Sequence, residues 1–139
     1  MNAYKNPFCE KAQSFSLKQM IKQLLVSYQP VAVKKNSFFV NNISDELSVH
    51  TDKDILCTLL SSLLYVTARL SRNNCIHISA AKNRGEVILY VKDATAIHNY
   101  TVLSGLQHLQ LLADQLGGMV WMPQGNKPAD ILCSFPVAA

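Results

Sequence analysis

The side chains with chemical capacity in this chain fall in two stretches. One ends at Asp93, which follows the β-patterned run Glu86 to Val91 and Lys92, with His98 shortly beyond it. A carboxylate at a strand end can accept a hydrogen bond from a ligand, and an imidazole nearby can polarise one. It can equally be a solvated residue. The other stretch, leucine-rich, runs from Asp52 to Ser71 and carries Ser62 and Arg69. A hydroxyl can offer magnesium an oxygen, and a guanidinium can meet a phosphate. The plainer readings are a helix serine bonded to solvent or backbone and a surface arginine. Other constellations are weak. His50, His77, His98 and His108 have no metal spacing, and Cys9, Cys57, Cys75 and Cys133 include no C-x-x-C pair. Ser104-Gly105 lacks the strand–turn–helix of a nucleophile elbow, and no phosphate-binding glycine loop or dinucleotide fingerprint occurs.

These residues need elements to hold them. Thr51 or Asp52 can cap a helix, and Asp54 adds negative charge at its positive end. Ile55, Leu56, Leu59, Leu60, Leu63, Leu64 and Leu70 recur at helical spacing. Cys75 to Ala80 then alternates, with Ile76, Ile78 and Ala80 on one face. Lys82-Asn-Arg-Gly85 turns the chain into a return strand with Val87, Leu89 and Val91 on one face. Upstream, Ser16 can cap a helix whose apolar stripe is Leu17, Met20, Ile21, Leu24, Leu25 and Tyr28; Pro30 is expected to kink it, or to end and restart it. Short strands at Ser37 to Val40 and Leu47 to His50 lead to the central helix. Downstream, Val102 to Leu116 reads as a third helix stopped by Gly117-Gly118. A strand at Met119 to Pro123, a turn at Gly125-Asn126 and a closing strand from Ile131 to Phe135 follow. Residues 1–14 have weak periodicity and contain Pro7, and read as a loose arm ahead of a domain spanning 15–139.

With 139 residues, 49% hydrophobic and 16% charged, the chain fits one domain with a sizeable core. The net charge of +4 is scattered, which argues against nucleic acid as a partner. The dispersed cysteines point to small buried groups in a reduced cytoplasm. No run approaches the ~20 apolar residues of a membrane span, and the first residues lack an apolar signal core, so a cytoplasmic location is expected.

The order of capped leucine helix, hairpin and strand ending in Asp resembles the ATP-binding domain of sensor histidine kinases, in the GHKL ATPase superfamily. That family's first box reads roughly D-x-x-x-L-x-x-V-L-x-N-L-L-x-N-A-x-K. Asp52, Leu56, Leu59, Leu60, Leu63, Leu64 and Thr67 fall in register, and Arg69 stands where a basic residue often lies near the phosphates. Ser62 and Val66 replace the two asparagines. In the box V-x-D-N-G-x-G, Val91 and Asp93 match, while Ala94, Thr95 and Ile97 replace the Asn and both glycines. Gly105, Leu106, Leu112, Gly117 and Gly118 fit the family's glycine-rich helix, with Leu103 in place of its first glycine. Pro128, Ala129, Asp130 and Ile131 occupy the place of G-S/T-x-F, and about ten residues stand where the family has a long ATP lid. The resemblance covers about residues 15–137.

It implies an α+β two-layer sandwich of Bergerat type, with three helices on one face of a mixed, mainly antiparallel sheet of about five to seven strands. Asp93, Ser62, Arg69, Gly105 and Leu106 would line a remnant nucleotide pocket, with Asp93 at the adenine amino group. Val66, Thr95, Ile97 and Leu103 are positions where the family's chemistry is lost: Val66 has no oxygen for magnesium, and the others bring side chains where backbone would approach phosphate. No catalytic residue, metal or cofactor is then expected. The implied role is a pseudo-ATPase module that docks to a kinase, a phosphotransfer protein or a response regulator, or self-associates. The arm leaves no room for a phosphoacceptor hairpin, so a complete self-phosphorylating kinase is not expected. The alternative is a single-domain protein kinase of the anti-sigma-factor type using ATP and magnesium; a third reading is a different small ligand in the remodelled pocket.

Overall fold

The structure is a computed structural model that describes residues 12–93, 99–121 and 130–137, without the side chains of 93, 99–106 and 130. Strand β1 (Ala12–Ser16) leads into helix α1 (Leu17–Val33), followed by β2 (Phe38–Asn41) and β3 (Ser48–Asp52). Then come α2 (Lys53–Leu70), β4 (Cys75–Asn83), β5 (Glu86–Asp93), α3 (Asn99–Leu116), β6 (Met119–Trp121) and β7 (Asp130–Pro136). Among the described residues there are three helices, a two-stranded β1–β3 ribbon and a five-stranded sheet in the order β2-β4-β5-β7-β6. Only β2 and β4 pair in parallel; the other pairs are antiparallel.

Capping chemistry sets where the helices begin. The Ser16 hydroxyl accepts the Gln19 N–H at 3.2 Å and opens α1. Asp52, rather than Thr51, caps α2: its Oδ1 accepts the N–H groups of Asp54 and Ile55 at 3.1 and 3.2 Å. At the far end of α2, the Ser71 N–H bonds to Thr67 O at 3.0 Å. The Arg84-Gly85 turn of the β4–β5 hairpin has φ of 52° and 79°, the paired positive values of a tight two-residue connection.

Alternation then decides what is buried. Leu56, Leu59, Leu60, Leu63 and Leu64 of α2 are fully buried, as are Ile76 and Ile78 of β4, Val87 and Leu89 of β5, and Cys133 and Phe135 of β7. The α3 residues Leu109, Ala113 and Leu116 close the same core. The three helices cover one sheet face, as the alternation implies.

Some local expectations are corrected. Strand β1 starts at Ala12, inside the stretch read as a loose arm, because pairing with β3 from Ala12↔Asp52 to Ser16↔Ser48 supplies backbone partners the sequence does not advertise. Residues 1–11 lie outside the described residues. Helix α1 does not restart at Pro30 but runs through it to Val33. The missing proline N–H would have met the carbonyl of Val26, which is 77% exposed and open to water instead. Helix α3 begins at Asn99, three residues before the expected Val102. The Gly125-Asn126 turn lies outside the described residues.

The Gly117-Gly118 stop serves packing as well as chain reversal. Gly117 takes φ +77°, and its N–H and that of Gly118 bond back to Asp114 O and Ala113 O. A Cβ on Gly118 would overlap the carbonyl oxygen of Ser134 and stand 3.0 Å from Phe135 Cα. We expect Gly118→Ala to cost about 3 kcal/mol by urea unfolding, since strand backbone must move; a loss under about 0.5 kcal/mol, within surface-site scatter, would show that β7 yields freely. Burial pushes the Cys133 thiol from 9.0 up to about 12. The folded thiol stays protonated while the unfolded one ionises, so this contribution to stability is whole below pH 9.0 and falls as pH rises towards about 12. Cys133→Ala should flatten the alkaline fall in stability measured by unfolding across that window.

Candidate nucleotide site

The residues expected around a nucleotide come from three elements. Ser62, Val66 and Arg69 lie on α2, one and two turns apart, so they share a helix face. Gly105 and Leu106 lie in α3, which packs against α2. Asp93 is the last residue of β5 and pairs in register with Ile76. It is the next position in the alternation that buries Val87, Leu89 and Val91. The fold thus brings the carrying elements together in the sequence's order.

The side chains on α2 have these surroundings. Ser62 and Val66 are half-buried. Thr58 and Thr67 spend their hydroxyls on Asp54 O and Leu63 O, whereas the Ser62 hydroxyl has no hydrogen bond among the described residues. Arg69 is exposed, and its guanidinium lies over the Tyr65 ring, 5.6 Å from the centroid. Tyr65 in turn faces Tyr28 of α1, with ring centroids 6.2 Å apart and tilted 58°, and the Tyr28 hydroxyl donates to Ser61 Oγ at 3.1 Å. The cation ends an aromatic ladder between α1 and α2, which sequence reasoning did not single out. The Tyr65–Arg69 spacing of one turn was its only sequence signal.

The junction past β5 is short. Strand β5 ends at Asp93 and α3 starts at Asn99, so residues 94–98 make the whole connection, about half the length expected from sequence. Only the first four N–H groups of a helix are free of intrahelical bonds. In α3 those belong to residues 99–102, so the amides of Leu103, Gly105 and Leu106 are committed to the helix. Thr95, Ile97 and His98 lie outside the described residues.

Val66 offers no oxygen, and among the described residues no three His, Cys, Asp or Glu side chains cluster as metal ligands. The amides at 103–106 cannot both close helical turns and cradle phosphate.

No protein-family model matches the sequence, and no curated protein matches it. Solved structures do match in shape. The Acinetobacter baumannii histidine kinase AdeS superposes with a TM-score of 0.79 at 15% identity, over 92% of this chain and 68% of that one. The catalytic domain of histidine kinase ThkA gives 0.71 at 18% identity, over 91% of this chain and 95% of its own. The cytoplasmic segment of histidine kinase QseC gives 0.66 at 13%, over 93% and 80%. ThkA has also been solved in complex with the response regulator TrrA; that structure gives 0.72 at 18% identity, over 91% of this chain and 42% of that one. The chain has the α+β fold of histidine-kinase catalytic domains, with three helices on a mixed, mostly antiparallel sheet among the described residues.

The ladder can be measured directly. A double-mutant cycle of Tyr65→Ala and Arg69→Met should give a coupling of about 0.5–1 kcal/mol, the size of an exposed cation–π contact. Zero coupling would mean that Arg69 is free to serve elsewhere.

Proposed function

We propose that this domain is a non-catalytic, histidine-kinase-like module that works by docking to another protein in a signalling pathway. Its folded unit is residues 15–139, extended to Ala12 by β1. The observation that carries the reading is the rebuilt junction after Asp93: five residues, 94–98, replace a long lid, and α3 is already helical at Leu103. The lid would exclude water from a triphosphate, and the amides would hold it. Val66 in place of a magnesium-binding Asn points the same way. Asp93 alone does not restore binding, because one hydrogen bond contributes roughly 1–3 kcal/mol whereas micromolar affinity needs about 8 kcal/mol.

Exposed apolar groups support docking. Val26 and Val33, 77% and 58% exposed, stand two turns apart on α1. On the sheet face away from the helices, Trp121, Leu132, Tyr90 and Ser79 are register neighbours across four strands, with Met119, Ser134, Ile88 and Ala81 in the next row. Met119 is exposed and Trp121, Leu132, Tyr90 and Ile88 are half-buried, so this face offers a partner some apolar surface. The ThkA–TrrA complex supports a response regulator as one class of partner; a kinase, a phosphotransfer protein or a second copy are the others. We place the module in the cytoplasm, in keeping with there being no described helix long and apolar enough to cross a membrane.

The test is calorimetric titration with ATP and ADP, with and without Mg²⁺, beside Asp93→Asn and Val66→Asn. We expect no binding heat at millimolar nucleotide in the parent, and none on restoring Asn at 66, because the amides of α3 remain committed. Micromolar binding abolished by Asp93→Asn would overturn the reading in favour of a single-domain ATP-dependent protein kinase of the anti-sigma-factor type.

A further inference from the structure

The five-stranded sheet has two edges, β2 and β6, and both are met by a glutamine from a helix. In β2 the N–H groups of Phe38 and, just past its end, Asn42 point inward, bonding to Asn74 O at 3.1 Å and Ile78 O at 2.8 Å. Phe39 lies between them, so its N–H and C=O both face the free edge. Gln29 of α1 takes both. Its Oε1 accepts the Phe39 N–H at 2.7 Å, and its Nε2 donates to Phe39 O at 3.1 Å. A carboxamide presents one donor and one acceptor in a plane, as a peptide group does, so Gln29 stands where a sixth strand would bond. The same helix makes further contacts beside that edge. The Ser37 N–H bonds to Ala32 O at 3.0 Å, and Asn41 Nδ2 donates to Lys18 O at 3.2 Å. At the opposite edge the Val120 N–H donates to Gln110 Oε1 of α3 at 3.0 Å, and Gln110 Nε2 is held by Asp114 Oδ1 at 2.7 Å.

We propose that Gln29 and Gln110 are edge clamps that stop the sheet from pairing its outer strands with those of a second copy of this chain. An uncovered edge is a row of unpaired peptide groups, and a second copy is the partner always present at equal concentration with matching strands. Both edges are short, four and three residues, so one clamp on each removes a large share of the groups a partner strand could use. At these two edges of the five-stranded sheet, main-chain pairing with a second copy is thereby disfavoured. The inference rests on the fold alone and is independent of whether nucleotide binds.

The test is sedimentation velocity over a wide concentration range on Gln29→Leu, Gln110→Leu and the double variant. Gln23→Leu, a like change at an exposed position of α1, is the control. We expect the double variant to self-associate at least about tenfold more tightly than the parent, with Gln23→Leu unchanged, since an unmet buried pair is a penalty that strand pairing relieves. A folded double variant that associates no more than the parent overturns the proposal. Should it fail to fold, Gln29→Glu keeps the acceptor for the Phe39 N–H and sets a carboxylate oxygen against Phe39 O. Amide exchange at Phe39 should then rise about tenfold over the parent; unchanged exchange would overturn the clamp.

Discussion

Burial of the α2 leucines against the inward faces of β4, β5 and β7 is the constraint on which the rest of this structure depends. Leu56, Leu59, Leu60, Leu63 and Leu64 are all withdrawn from water, and α2 packs against both α1 and α3. Each large aliphatic side chain so buried contributes about 1.5–3 kcal/mol. A helix turns by a fixed angle per residue, so the rotation that sinks these leucines also decides what looks outward. Ser62 and Val66 come to lie half-buried at the edge of the core, and Tyr65 and Arg69 on the surface.

That geometry separates the scaffold from the residues that a site would use. The core positions of α2 and its site positions occupy different sectors of one helix, so replacing a site residue need not disturb the leucines. The same separation holds in β5, where Val87, Leu89 and Val91 are buried whatever follows Asp93. In α3 the later residues Leu109, Ala113 and Leu116 lie in the core, apart from the helix start at Asn99. The Arg69–Tyr65–Tyr28 ladder takes a surface arginine into local packing between helices.

The helices do more than roof the sheet. Helix α1 lies along the edge of β2, and α3 reaches the edge of β6 through Gln110. The ends of the layer are tied by polar side chains too, as where the buried hydroxyls of Ser37 and Ser71 meet at 3.2 Å and Ser37 Oγ accepts the Asn74 N–H at 3.2 Å. Each such group would otherwise be an unsatisfied donor or acceptor at the margin of the core.

The sequence by itself determined the parts governed by local periodicity and turn chemistry. The leucine spacing of α2, the Ser16 and Asp52 caps, the alternation in β4 and β5 and the Gly85 turn all act between residues within a few positions of each other, so they could be read along the chain. Of the candidate site, the sequence supplied the identities, including Val66 and Leu103, and their order on the elements. Tertiary structure decided what depends on partners far away in sequence. The pairing of β1 with β3 turned part of an unpatterned arm into a strand, and exposure of Val26 let α1 pass through Pro30. The early start of α3 committed the amides at 103–106, and the approach of Gly118 to Ser134 made a helix stop into a packing requirement. Nothing in the sequence marks Gln29, and Gln110 falls in the apolar stripe of the third helix; that each meets a sheet edge appears only in the fold, because a hydrogen bond across the fold leaves no periodic trace in the chain.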